Sequence, residues 1–226
     1  MDEFLVSACV QVLNGFQLGF LYFMFAIGLS LILGVMGVVN LAHGSFYMLG
    51  AYLFYAGLQA RIPPILSVLA ALAAIVALSM ASEKTIFRSL RDRSHLDQML
   101  LTYGLILIAN EVITMVWGPT IRSIDIPDAL SGSVSIGFDR EYPLYRLLVS
   151  VVGIVVGISV WLLLSFTRIG IQVRAGVFDR EMTSALGVDV NLVSLLVFGF
   201  GIVLAAFAGI VAAPILSLYP GMGETI

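Results

Sequence analysis

The chain has 226 residues, of which 60% are hydrophobic and 11% charged, and its mean hydropathy is +1.07. A water-facing surface draws on about a quarter Asp, Glu, Lys and Arg, so this composition excludes an ordinary soluble domain, a disordered chain and a collagen. The single cysteine, Cys9, excludes an intramolecular disulfide framework, and a net charge of -3 without a block of like charges gives no sign of nucleic acid as a partner.

What remains is an all-α, polytopic transmembrane helical bundle. A bilayer core of about 30 Å needs roughly 20 apolar residues in a helix rising about 1.5 Å per residue. From Phe4 to Ala60 there is no Asp, Glu, Lys or Arg. That run is too long for one span and right for two, with a broken or re-entrant region near residues 34–45, where Asn40, His43 and Ser45 stand among Gly34, Gly37 and Gly44. Acidic residues at Asp2 and Glu3 argue against a cleaved signal peptide, which carries Lys or Arg there. Further spans are expected over about 64–82, 99–117, 147–166 and 192–213, six in all, with Pro214 ending or kinking the last.

The loop over 83–97 holds Lys84, Arg88, Arg91 and Arg93, and the loop over 167–191 holds Arg168, Arg174 and Arg180. Alternating spans put both on one side, with seven basic residues against four (Arg61, Arg122, Arg140 and Arg146), so both are expected to be cytoplasmic and the N-terminus external. Residues 119–143 alternate apolar with polar positions, as in Ile121, Ser123, Ile124, Asp125, Ile126 and again in Val134, Ser135, Ile136. This predicts an external hairpin or extended flap.

Polar groups at membrane depth are costly and face protein or a cavity. Glu111 beside Asn110 in the fourth span is expected to face the interior or to be protonated, either locking a helix contact or lining a pathway. Asn40 and His43 either line a cavity or cap the break. Asn14 and Gln17, three apart, read as contacts between helices, and Gly15/Gly19 and Ala205/Gly209 as small-residue pairs that let helices approach. The two histidines, His43 and His95, are far apart with no second ligand at i+4, so no zinc or other metal site is expected, and no catalytic constellation or phosphate loop appears.

Within 167–191, Phe178, Met182, Ala185 and Leu186 recur at helical spacing, while Asp179, Arg180, Glu181, Thr183 and Ser184 fill the other face. The spacing predicts one short amphipathic helix, ended at Gly187 by a left-handed cap. Such a helix needs a surface for its apolar stripe: the bilayer, its own bundle, or a partner groove. Three basic and three acidic residues in the loop do not favour anionic lipid, and a partner groove is the expectation.

The stretch GLSLILGVMGVVNLAHGSFYMLGAY (28–52) resembles the signature region of permease subunits of bacterial branched-chain amino acid ABC transporters. RDRSHLDQMLLTYGLILIANEVITMVWGP (91–119) is similar to that family's loop and fourth span, and RAGVFDREMTSALGVDV (174–190) to its ATPase-docking loop. Family members usually continue past Pro214 through about two more spans. The resemblance implies a permease, not an enzyme, that pairs with a second homologous permease, docks two cytoplasmic ATP-binding subunits and receives substrate from an external binding protein in a bacterial or archaeal plasma membrane. It binds no cofactor itself, with ATP on the partners. The cargo would be leucine, isoleucine, valine or related small amino acids and amides. By the same resemblance Asn40, His43 and Gly44 match the broken-helix signature, and the candidates for the pathway or helix break are these three with Tyr47, Asn110 and Glu111. Arg174, Phe178, Asp179, Arg180, Glu181, Met182, Ala185, Leu186 and Gly187 match the docking segment. Two other readings are an ion-coupled secondary transporter using Glu111 and a non-conducting assembly subunit.

Overall fold

The computed structural model describes residues 2–91, 93–127, 130–137 and 140–226. Residue 92 of the 83–97 loop and residues 128, 129, 138 and 139 of the 119–143 segment therefore lie outside the description, as do the side chains of Ile136 and Arg140.

The chain folds as an all-α bundle. Helix α1 (Asp2–Met36) is followed by six non-helical residues and then α2 (His43–Gln59), so the break falls within the Gly-rich polar stretch. Pro64 at the first helical position starts α3 (Pro64–Ser82), where its missing N–H is no loss. This helix runs on through a π-helical turn (Glu83–Phe87) and a last turn to Leu90. Ser94 caps α4 (His95–Trp117) by accepting from the Asp97 amide at 3.2 Å. Then come α5 (Leu144–Phe166), α6 (Arg168–Phe178), α7 (Arg180–Ala185) and α8 (Val190–Ala212). Among the described residues, five helices, α1, α3, α4, α5 and α8, have the length and apolar character of membrane spans. The remaining predicted span, α2, has 17 residues, about 25 Å, and is buried along almost its whole length.

Two long apolar helices, α1 and α2, pack on α8 through backbone contact, which small residues permit. A Cβ on Gly209 would stand 2.1 Å from the Tyr47 carbonyl oxygen, one on Gly50 2.6 Å from that of Ala206, and one on Gly28 2.4 Å from that of Gly201. Of the two predicted small-residue pairs, Ala205/Gly209 is thus in the seam. Gly15 and Gly19 meet nothing and face an open groove.

The predicted flap is a hairpin in part: β1 (Ser133–Gly137) pairs antiparallel with β2 (Arg140–Pro143). Ahead of it, Arg122 exchanges two backbone hydrogen bonds with Leu218, at 2.9 and 2.8 Å. Asn14 fastens α1 to this end, accepting from Tyr142 Oη at 3.2 Å and Arg146 Nη1 at 2.8 Å. Burial pushes the Tyr142 phenol above its ordinary range. At the opposite end, Arg91 Nη1 donates to Asn191 Oδ1 at 3.2 Å, joining the two basic segments 83–97 and 167–191.

Candidate functional site

The break after α1 brings its polar residues into a cavity of about 300 Å3, walled by Phe25, Leu29, Ile106 and Ile226 and by the polar groups of Asn40, His43, Asn110 and Glu224. Asn40 is 2% exposed and neither its amide oxygen nor its nitrogen has a partner; His43 is 1% exposed. The His43 Nε2–H donates to the Phe25 carbonyl at 3.2 Å, which leaves Nδ1 as an acceptor without a partner. Buried polar groups in hydrocarbon are almost always satisfied. Unmet donors and acceptors from two adjacent side chains on one cavity wall mark a place where something polar is meant to sit. On the other wall Asn110 donates to the Glu224 carboxylate. Gly44 forms the floor: a Cβ there would lie 1.9 Å from the Gly223 carbonyl oxygen, so only glycine lets the start of α2 meet the C-terminal turn.

The predicted pathway residues therefore divide. Asn40, His43, Gly44 and Asn110 come together at this cavity. Tyr47 is buried but does not line it; its ring meets Phe25 edge-on at 6.1 Å and its carbonyl packs on Gly209. Glu111 is a correction. It is exposed on the outer face of α4 beside Leu107, Ile108 and Met115, not turned inward. The buried stripe of α4 is Gln98, Thr102, Ile106 and Ile113, and at 100° per residue position 111 falls on the far side from it. Glu224 was missed because its partner Asn110 is 114 residues away; its one signal was being the lone charge after Asp189.

Toward the opposite end, the break is tied to the basic segments. Gln98 Oε1 accepts from the Val39 amide at 3.0 Å, while its Nε2 donates to the carbonyls of Leu90 at 3.1 Å and Arg93 at 3.2 Å. Arg91 forms an ion pair with Glu83, which is 2% exposed inside the π-helical turn. The extra residue of a π turn is what carries a charged side chain inward here. Polar contacts thus join Asn191, at the start of α8, to Arg91, and Gln98, bonded to the backbone on either side of Arg91, to the residue before Asn40. None of Glu83, Arg91 or Gln98 was read from the sequence as part of a site.

The predicted amphipathic helix is two pieces, a second correction. Phe178 ends α6, and Asp179 caps α7, its Oδ1 accepting from the Met182 amide at 2.9 Å and its carbonyl from Thr183 Oγ1 at 2.6 Å. An aspartate that bonds the backbone locally competes with helix continuation, which is why the chain turns there. Gly187, at φ +86°, closes α7: its N–H bonds the Ser184 carbonyl at 3.0 Å and the Val188 N–H that of Thr183 at 3.3 Å. Arg174 is committed locally, donating to the Leu164 carbonyl at the end of α5. Arg180 is half-buried, and Glu181 and Ala185 are exposed.

Three large apolar side chains stand clear of the bundle: Phe178 is 94% exposed, Leu186 78% and Met182 58%. The elbow is held from behind instead, where Val173 of α6 packs with Val35, Val193 and Val197 of α1 and α8. Among the described residues, no helix of the bundle covers that stripe.

Residues 11–225 match the family described as branched-chain amino acid transport system / permease component. The chain belongs to that family. It is 26% identical over 223 residues to the high-affinity branched-chain amino acid transport system permease protein LivH of Salmonella typhimurium, covering 93% of this chain and 72% of the relative. It is 25% identical over the same length to LivH of Escherichia coli K12. To BraD of Pseudomonas aeruginosa, also a high-affinity branched-chain amino acid permease protein, it is 28% identical over 215 residues, 88% of this chain and 69% of the relative. No solved structure matches. The chain is a multi-pass membrane transport subunit of this family, and its relatives are permeases rather than enzymes.

Proposed function

We propose that the chain is the pathway-forming permease of an ATP-driven importer for branched-chain or related small amino acids in a bacterial or archaeal inner membrane. The observation that carries this reading is the exposed elbow of α6 and α7. An apolar stripe of Phe178, Met182 and Leu186, left exposed by the bundle at the end that gathers Lys84, Arg88, Arg91 and Arg93, fits a protein groove on the cytoplasmic side. The groove belongs to an ATP-binding subunit, two of which serve this chain and a second, homologous permease, while an external binding protein delivers cargo. ATP is bound by those partners and not by this chain.

In this mechanism the partner moves the elbow as a rigid body, because α6 is wedged by Val173 against α1 and α8. Displacement at the start of α8 reaches Arg91 through Asn191, and Arg91 and Gln98 share the turn at Leu90–Arg93. Gln98 passes it to Val39, next to the cavity of Asn40 and His43, whose unmet polar groups exchange partners as cargo passes. The mostly apolar wall suits an aliphatic side chain.

Replacing Ala185 and Leu186 with Glu tests the reading. The double variant should insert and fold like the parent, since both side chains are exposed, yet lose uptake in vesicles while ATP hydrolysis no longer responds to cargo. Parental uptake and parental stimulation of ATPase activity would exclude the elbow as the coupling element.

A further inference from the structure

At the end of the molecule opposite the elbow, two adjoining cavities share Leu58, Ile124 and Asp125. One, of about 360 Å3, is walled by Phe54, Val68, Tyr145, Phe207, Ile210 and Pro214. The other, of about 390 Å3, is polar and lined by Tyr55, Gln59, Arg61, Ser123 and Asp125. The segment 121–127 lies over both, and Arg122 keeps it there. Its backbone is paired to Leu218, its Nη1 donates to Tyr55 Oη at 3.1 Å, its Nη2 to the Trp117 carbonyl at 2.6 Å, and its guanidinium sits 5.7 Å from the Tyr55 ring centre.

Both Nη atoms of Arg122 are committed to Tyr55 and Trp117 and its side chain does not line the polar cavity; Arg61 is the cation that does, and Asp125 is the anion. Both are exposed and neither makes a side-chain hydrogen bond or ion pair among the described residues. Arg61 also stands where glycine is the ordinary occupant. It follows the last turn of α2 at φ +59°, with its own N–H on the Leu58 carbonyl at 2.9 Å and that of Ile62 on the Gly57 carbonyl at 3.0 Å. A bulky residue held in the left-handed region points to a use for its side chain.

We infer that these joined cavities form an outer acceptance site for a free aliphatic α-amino acid. Asp125 accepts from the α-ammonium, Arg61 donates to the α-carboxylate, and the branched side chain fills the apolar compartment behind Leu58 and Ile124. A simple anion is disfavoured by Asp125 and a simple cation by Arg61, whereas a zwitterion satisfies both. Each cavity is of the size that holds small ligands. The inference rests on the importer reading and adds to it the first place on this chain where cargo is recognised.

The test uses the complete complex in lipid nanodiscs without the external binding protein, and equilibrium binding of labelled L-leucine in competition with leucinamide, which lacks the carboxylate, and 4-methylpentanoate, which lacks the amine. The parental complex should prefer leucine to both. Arg61→Gln should weaken leucine about tenfold and cease to distinguish leucine from leucinamide, since a hydrogen bond between charged groups is worth about a factor of ten or more. Asp125→Asn should do the same for leucine against 4-methylpentanoate. Arg61→Gly, which suits the left-handed backbone, secures a folded variant and should behave like Arg61→Gln. Unchanged discrimination in all three variants, or leucine binding unchanged while docking of the external binding protein falls, overturns the site. ATP-driven leucine uptake by the same parental complex in vesicles separates the two readings. Uptake with unaltered discrimination removes only the acceptance site, and no uptake removes both.

Discussion

Helices α5 and α8 each have 23 residues and nearly equal hydropathy, yet 67% of the most apolar stretch of α8 is buried within the chain against 17% for α5. Hydropathy decides whether a segment enters the membrane and says little about where in the bundle it goes. Lipid tails are as apolar as leucine, so the choice falls to residues that let backbones touch. In α8 these are Gly201, Ala206 and Gly209, each in backbone contact with α1 or α2. In α5, Gly153 and Gly157 meet only the side chains of Phe20 and Phe23. A seam built on α8 is thus distinct from a shell that includes α4 and α5, and the cavity at the break lies between them, walled by α1 and the start of α2 on one side and by Ile106 and Asn110 of α4 on the other.

The sharpest way to break this distinction is one methyl group on each side of it. Gly209→Ala places a carbon 2.1 Å from the Tyr47 carbonyl oxygen, where only backbone movement gives relief, so a loss of about 3 kcal/mol or more is expected. Gly157→Ala brings a carbon to 3.0 Å from the tip of the half-exposed Phe23 ring, which can swing away, and should change stability by less than about 1 kcal/mol. Thermal unfolding of both in the same detergent checks this. Equal effects would mean that the seam is no tighter than the shell.

Next in size is the ion pair at the inner end of the seam. Glu83→Ala removes the carboxylate that pairs with Arg91, a side chain only 5% exposed, and breaking a buried pair typically costs about 3 kcal/mol. Smaller again is Gln98→Leu, which keeps the bulk and removes three hydrogen bonds, taking the partner from the Val39 amide and the Arg93 carbonyl while the Leu90 carbonyl keeps the Arg93 N–H. A loss of about 1–2 kcal/mol should appear, together with faster amide hydrogen exchange over residues 37–42. Protection there unchanged from the parent would show that the break is held by its own packing and not through Gln98.

The order of these effects follows what the sequence could disclose. Spans, the break after Met36, the hairpin and the Gly187 cap are properties of neighbouring residues, and periodicity and glycine placement made them legible. The elbow was legible in composition but not in shape. Phe178, Met182 and Leu186 share a helical spacing, yet Asp179 ends one helix and starts another, because its side chain offers the Met182 amide a local partner. The cavity was half legible: Asn40 and His43 stand out as polar groups in an apolar run, whereas Glu224 and Gln98 act through partners 114 and 59 residues away that no local pattern names. Arg61 and Asp125 read as ordinary loop charges until the fold put them on one cavity.

Glu111 is where the distinction predicts the least effect, and it is informative for that reason. An acid in the fourth span invites an interior role, and such a role requires that its removal be costly. The structure sets it on the shell, on the exposed face of α4 away from Ile106 and Ile113, and its carboxylate makes no hydrogen bond or ion pair among the described residues. Glu111→Leu should therefore keep the stability of the isolated chain within about 0.5 kcal/mol, or raise it, because an exposed apolar face only becomes more uniform. Asn110→Leu, one residue earlier, should cost more, since it removes the donor to Glu224 on the cavity wall. If instead the Glu111 variant unfolds well below its neighbour, α4 is turned about half a revolution from the position described, and the shell would have to be redrawn around an inward-facing acid.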